Sequence, residues 1–80
     1  MIDAITERPL VVKNTGGGPV LFDVPASQLK EIQALLDGHG IRYSVEEYFI
    51  AFDGKPETTA IYFGHAVDSK KIQSVLDSAG

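Results

Sequence analysis

Two histidines, a run of three glycines and a pair of glutamates carry most of the chemistry this chain could do. His39 lies in "DGHGI", His65 in "FGHAVD", Gly16, Gly17 and Gly18 in "KNTGGGPVLFDVP", and Glu46 and Glu47 are adjacent. A phosphate cradle needs a strand, a glycine turn and then a helix, so that amides and a helix N-terminus face the anion. Here the glycines precede an apolar, strand-like run, Pro19 removes an amide, and no Gly-Lys-Ser/Thr follows. The run therefore reads as a hairpin turn in which glycine permits positive φ, with an anion-binding amide nest as the alternative. Neighbouring carboxylates on a strand point to opposite faces, so Glu46 and Glu47 read as a solvated strand edge rather than an acid–base pair. Ser27, Ser44, Ser69, Ser74 and Ser78 fall in caps, strands or helix faces with no base in view. No catalytic residue is expected, and the chain does not read as an enzyme. The histidine spacing matches no metal motif, which leaves His39 and His65 as weak metal ligands and implies no cofactor.

The bulk properties narrow the partners. The chain has 80 residues, enough for one domain, and a formal charge of −4. Its seven basic residues are scattered, only Lys70 and Lys71 being adjacent, which argues against a nucleic-acid partner. There is no cysteine, so thiolate and disulfide chemistry are excluded. No apolar run reaches membrane-spanning length, and "MIDAITERP" lacks the basic start and apolar run of a signal peptide. The default compartment is the cytoplasm.

The elements that position these residues follow from periodicity. In "SQLKEIQALLDG" Leu29, Ile32, Leu35 and Leu36 form one helical stripe. Ser27 is the expected N-cap, and Gly38 or Gly40 the expected stop. In "VDSKKIQSVLDSAG" Asp68 is the expected cap, Val67 and Ile72 a hydrophobic staple, and Ile72, Val75, Leu76 and Ala79 the stripe. "PLVVK" and "VLFDV" flank the glycine loop as strands, and "IRYSVEEYFIAF" and "TTAIYFG" flank "DGKPE". Ile41, Tyr43 and Val45 alternate on one face, Tyr48, Ile50 and Phe52 on the other, so a bulge is expected near Glu46-Glu47.

The order is ββαββα, and it repeats. "KEIQALLDGHG" from Lys30 aligns with "KKIQSVLDSAG" from Lys70, with Lys, Ile, Gln, Leu, Asp and Gly coinciding. The same offset sets Leu21 on Ile61 and Phe22 on Tyr62. This predicts an internal ββα duplication with halves 1–40 and 41–80. Two such units can share a four-stranded antiparallel sheet with both helices on one face, an α+β fold. With the second and fourth strands at the centre, this is a circularly permuted ferredoxin-like arrangement. The first helix then ends, the glycine hairpin turns and the second helix begins at one end of the sheet. Gly16, Gly17, Gly18, His39, His65 and Asp68 are thus the expected ligand edge.

Neither face of the central strands is polar, so one stays both apolar and uncovered by helices. Such a patch marks a binding or oligomer surface. Val11, Leu21, Ile61 and Phe63 are the interface candidates, and the expected partner is a second copy of the chain, with another protein as a further possibility.

The stretch "VLFDVPASQLKEIQALLDGHGIRYSV" resembles the opening of ACT-type regulatory domains, through Asp23, Pro25, Leu29, Ile32, Leu36, Gly40 and Ile41. The resemblance covers about a third of the chain. It implies a ligand loop at Asp23, Pro25 and Ala26 that helps bind an amino acid at a dimer interface. Ala26 stands where that family has glycine, and one extra residue precedes Leu29. Two functions follow as expectations: a dimeric, non-catalytic interaction module, or a small-molecule sensor. A metal- or anion-binding protein using the His39 and His65 edge is third.

Overall fold

The computed structural model describes residues 1–4, 6–46 and 57–79. It contains β1 (Lys13–Thr15), β2 (Gly18–Pro25), a 3-10 turn (Ala26–Gln28), α1 (Leu29–Gly38), β3 (Ser44–Val45), β4 (Thr58–Tyr62) and α2 (Ser69–Ser78). The four strands form one antiparallel sheet in the order β1-β2-β4-β3, the order expected from the sequence. The predicted bulge near Glu46-Glu47 and the "DGKPE" turn fall on or against residues 47–56, outside the described residues.

Both helices bury their apolar stripes in one core. Ile32 and Leu36 of α1 and Ile72, Val75 and Leu76 of α2 join Leu21, Val24, Ile61 and Phe63 from the central strands. Leu29 and Leu35 lie half-buried against this cluster, as do Tyr43 and Val45 beside the buried Ile41. Ala79, expected in the second stripe, is instead exposed at the end of α2.

The helix ends show where side chains replaced the expected signals. Asp68 caps α2, accepting from the Lys70 amide at 2.8 Å. Ser27 does not cap α1, because the chain enters through the 3-10 turn and the cap position falls on Gln28. Gly40, at φ +68°, supplies the left-handed residue after α1.

Gln28 has another task. Its carboxamide accepts from the Ala4 amide at 2.7 Å and donates to the Ile2 carbonyl at 2.7 Å. Gln73 treats a second segment the same way, accepting from Val12 N–H at 2.8 Å and donating to the Leu10 carbonyl at 2.9 Å. Each glutamine satisfies the carbonyl of one residue and the amide two further on, as a neighbouring strand would. This corrects the expected first strand, Pro9 to Lys13. Its ladder with β2 begins only at Lys13, and the preceding backbone is satisfied by a helix side chain.

Among the described residues a bulge lies in β2. Leu21 pairs with Ile61 and Val24 with Thr59, so two residues, Phe22 and Asp23, stand against Ala60 alone. Asp23 adopts φ +54°, a left-handed conformation that aspartate tolerates better than most residues. The extra residue carries Val24 onto the face of Leu21. Strict alternation along this strand would instead set Val24 with Val20 and Phe22.

Candidate functional site: the uncovered sheet face and its glycine end

Cross-strand registers fix what the uncovered face displays. Lys13 pairs with Val20, Val20 with Tyr62, and Tyr62 with Ser44, so one row crosses all four strands. Paired residues share a face, and this one is opposite Leu21 and Ile61. Phe22, two positions from Val20, is 44% exposed, and Tyr62 is 40% exposed. Glu46, just past β3, donates its amide to the Ala60 carbonyl and accepts the Tyr62 hydroxyl at 2.6 Å. That hydrogen bond, with some burial and the nearby carboxylate charge, raises the Tyr62 pKa above its usual 10.0. The face thus has an aromatic centre, a lysine on the β1 side and a carboxylate on the β3 side.

Three of the four expected interface residues lie on the other side. Leu21 and Ile61 are completely buried, and Phe63 is nearly so, all beneath the helices. The reason is that both faces of the central strands are apolar, and the helices cover the one bearing Leu21, Ile61 and Phe63. Val11, the fourth candidate, is exposed at the β1 edge, where it lines a hollow with Pro9 and Lys70. The aromatic pair that remains exposed, Phe22 and Tyr62, was not among the expected interface residues.

The glycine end is built by a close backbone contact. Thr15 pairs with Gly18 across Gly16 and Gly17, and the Thr15 hydroxyl donates to the Gly18 carbonyl at 2.7 Å while accepting the Gly17 amide. The run is therefore a hairpin turn, as expected. Only its third glycine lies in the left-handed region, at φ +104°. A Cβ on Gly18 would stand 2.4 Å from the Gly64 carbonyl oxygen, so a side chain there cannot fit. The run is accounted for by this contact, with no ligand required.

Beside that contact opens a hollow of about 440 Å³, bordered by Gly17, Gly64, Arg42, Ser44 and Tyr62. Arg42 also borders a second hollow, with Asp68 and Lys71 at the start of α2. Arg42 makes no ion pair with any described residue. Tyr43, half-buried next to it, has a raised pKa, first through burial, then through hydrogen bonding to Asp37 and that carboxylate's charge, against a smaller opposing hydrogen bond from Gln33.

His39 and His65 are exposed and border none of these hollows. Among the described residues, no three of His, Cys, Asp and Glu are gathered where a metal could be held. Gly16 is exposed, with nothing within 4 Å of where a Cβ would stand, and Asp68 is occupied as a helix cap. Of the expected ligand edge, Gly17 and Asp68 border hollows, and they border different ones. Asp23, Pro25 and Ala26 border none of the three: Asp23 sits in the bulge, Pro25 is fully buried and Ala26 opens the 3-10 turn. Among the described residues, no helix is long and apolar enough to cross a membrane.

No family model matches this sequence, and no curated protein or solved structure shows significant similarity to it.

Proposed function

We propose that this chain is a small, non-catalytic interaction module that pairs with a second copy of itself through the uncovered face of its sheet. One observation carries the reading. Phe22 and Tyr62 are diagonal neighbours on the sheet face opposite α1 and α2, with no helix over it among the described residues, while the rest of the large apolar residues in the central strands are buried. An aromatic pair on an open sheet is the kind of surface that association covers. The edges favour a second copy. A two-fold axis parallel to the strands sets β1 of one copy over β3 of the other, bringing Lys13 toward Glu46 twice. The molar mass of the wild-type chain in solution, compared with that of a Phe22→Glu variant, tests this.

The architecture we read as a duplicated ββα unit, equivalent to a ferredoxin-like sheet with its connection order permuted. Three observations support it. Leu21 and Ile61, equivalent under the repeat, face each other across the central strands. Ile41 donates its amide to the Leu36 carbonyl, and Met1, its equivalent, donates to Leu76, the equivalent of Leu36. Gln33 and Asp37 flank Tyr43, while their equivalents Gln73 and Asp77 are hydrogen-bonded to each other at 3.0 Å.

A further inference from the structure

We propose that the hollow beside the Gly18–Gly64 contact binds a small organic monoanion with a flat apolar body, in chemical class an aromatic carboxylate. The inference does not rest on self-association: Ser44 and Tyr62 belong to the face proposed to pair, so a ligand here and a second copy compete for it, and the titration of the site is run on the Phe22→Glu chain as well as on wild type. It starts from which polar groups in the hollow are already engaged. The Tyr62 hydroxyl is held by Glu46, and Tyr62 borders the hollow. The Gly17 amide is taken by Thr15. Arg42 has no ion partner, and the Ser44 hydroxyl has no hydrogen bond, among the described residues. What remains free is a planar guanidinium with five N–H donors and one hydroxyl.

Such a set calls for an acceptor with negative charge, and guanidinium and carboxylate fit in a two-pronged geometry. The floor explains why a flat body fits. Gly17 and Gly64 border the hollow without side chains, so a ring can lie against their backbone beside the Tyr62 ring. The volume of about 440 Å³ suits a molecule of this size. Arg42 also discriminates by charge: a cationic ring of the same shape meets it with like charge.

Titration of the uniformly 15N-labelled chain with sodium benzoate tests the site by amide chemical shifts. The expected result is saturable movement of Gly17, Ser44 and Gly64 in the millimolar range, appropriate to so small a ligand. Arg42→Gln, at an exposed position, weakens binding by about tenfold or more, as expected for a lost charged hydrogen bond, while its unliganded amide spectrum stays that of the folded chain. Benzylamine at equal concentration leaves these amides in place. Shifts that do not saturate, equal binding by Arg42→Gln, or equal response to benzylamine would each overturn the proposal.

Discussion

Leu21 and Ile61 stand directly opposite each other at the centre of the sheet, both fully buried and forty positions apart in the chain. A two-fold relation between two copies of a ββα unit requires that pairing, because the residue nearest the axis must face its own equivalent. The Met1 ammonium and the Ile41 amide fit the proposed relation, each donating to the helix carbonyl that precedes it in a cyclic order. A chain rearranged to begin at Ile41, with residue 79 joined to Met1 through a short glycine linker, is expected to fold. Its circular dichroism should match the original, and urea unfolding should remain a single transition. An unfolded rearranged chain contradicts the cyclic relation.

Substitution of the glycines separates turn from contact. Gly18→Ala forces a Cβ against the Gly64 carbonyl in a left-handed conformation and should cost at least about 2 kcal/mol. Gly16→Ala has open space around it and should change stability by no more than about 0.5 kcal/mol. Equal unfolding midpoints for the two variants would show that the backbone contact is not tight.

Thr59 sets a hydroxyl without a hydrogen bond on the buried side of β4, beside Val24. Thr59→Val keeps the shape and removes an unsatisfied polar atom. It should raise stability by about 1 kcal/mol, measured by chemical denaturation. A loss of stability would indicate that the hydroxyl has a partner.

The tyrosines give the chain a dependence on high pH. Tyr43 and Tyr62 hold their protons above the usual 10.0, Tyr43 mainly by burial and Tyr62 mainly through its hydrogen bond to Glu46. A group whose proton is held more tightly in the folded chain adds its stability below the unfolded pKa, and that contribution is lost as pH climbs through the folded value. Stability should therefore be constant with respect to these groups at neutral pH and fall above about pH 10. Ultraviolet titration of phenolate should show late ionisation, and Glu46→Gln should move the Tyr62 step downward. An unchanged titration curve in that variant would count against the hydrogen bond.

Much of the fold was legible because its signals are local and periodic. The 3.6-residue stripes of Ile32, Leu36, Ile72 and Leu76, the Asp68 cap and the glycine turn each specify an element. Short connections then leave few ways to order the strands. The face of the site was not legible for a physical reason: Leu21 and Phe22 are both apolar, and only the packed helices decide which is covered. The bulge at Asp23 hid as well, since a single left-handed aspartate leaves no composition signal and yet reverses the alternation beyond it. The Gln28 and Gln73 clamps are long-range side-chain bonds to backbone, which no window of sequence displays. Arg42 read as one of seven scattered cations until the sheet placed it beside Gly64.

Two copies are proposed to meet at the face bearing Phe22 and Tyr62. Sedimentation equilibrium of the wild-type chain from micromolar to millimolar concentration measures this pairing. The expected species has twice the mass of the 8.6 kDa chain and is reduced to a folded 8.6 kDa monomer by Phe22→Glu. Lys13→Glu and Glu46→Lys should each weaken the dimer and together restore it. A wild-type chain that stays at 8.6 kDa over the whole range, or a Phe22→Glu variant that dimerises as well as wild type, contradicts it.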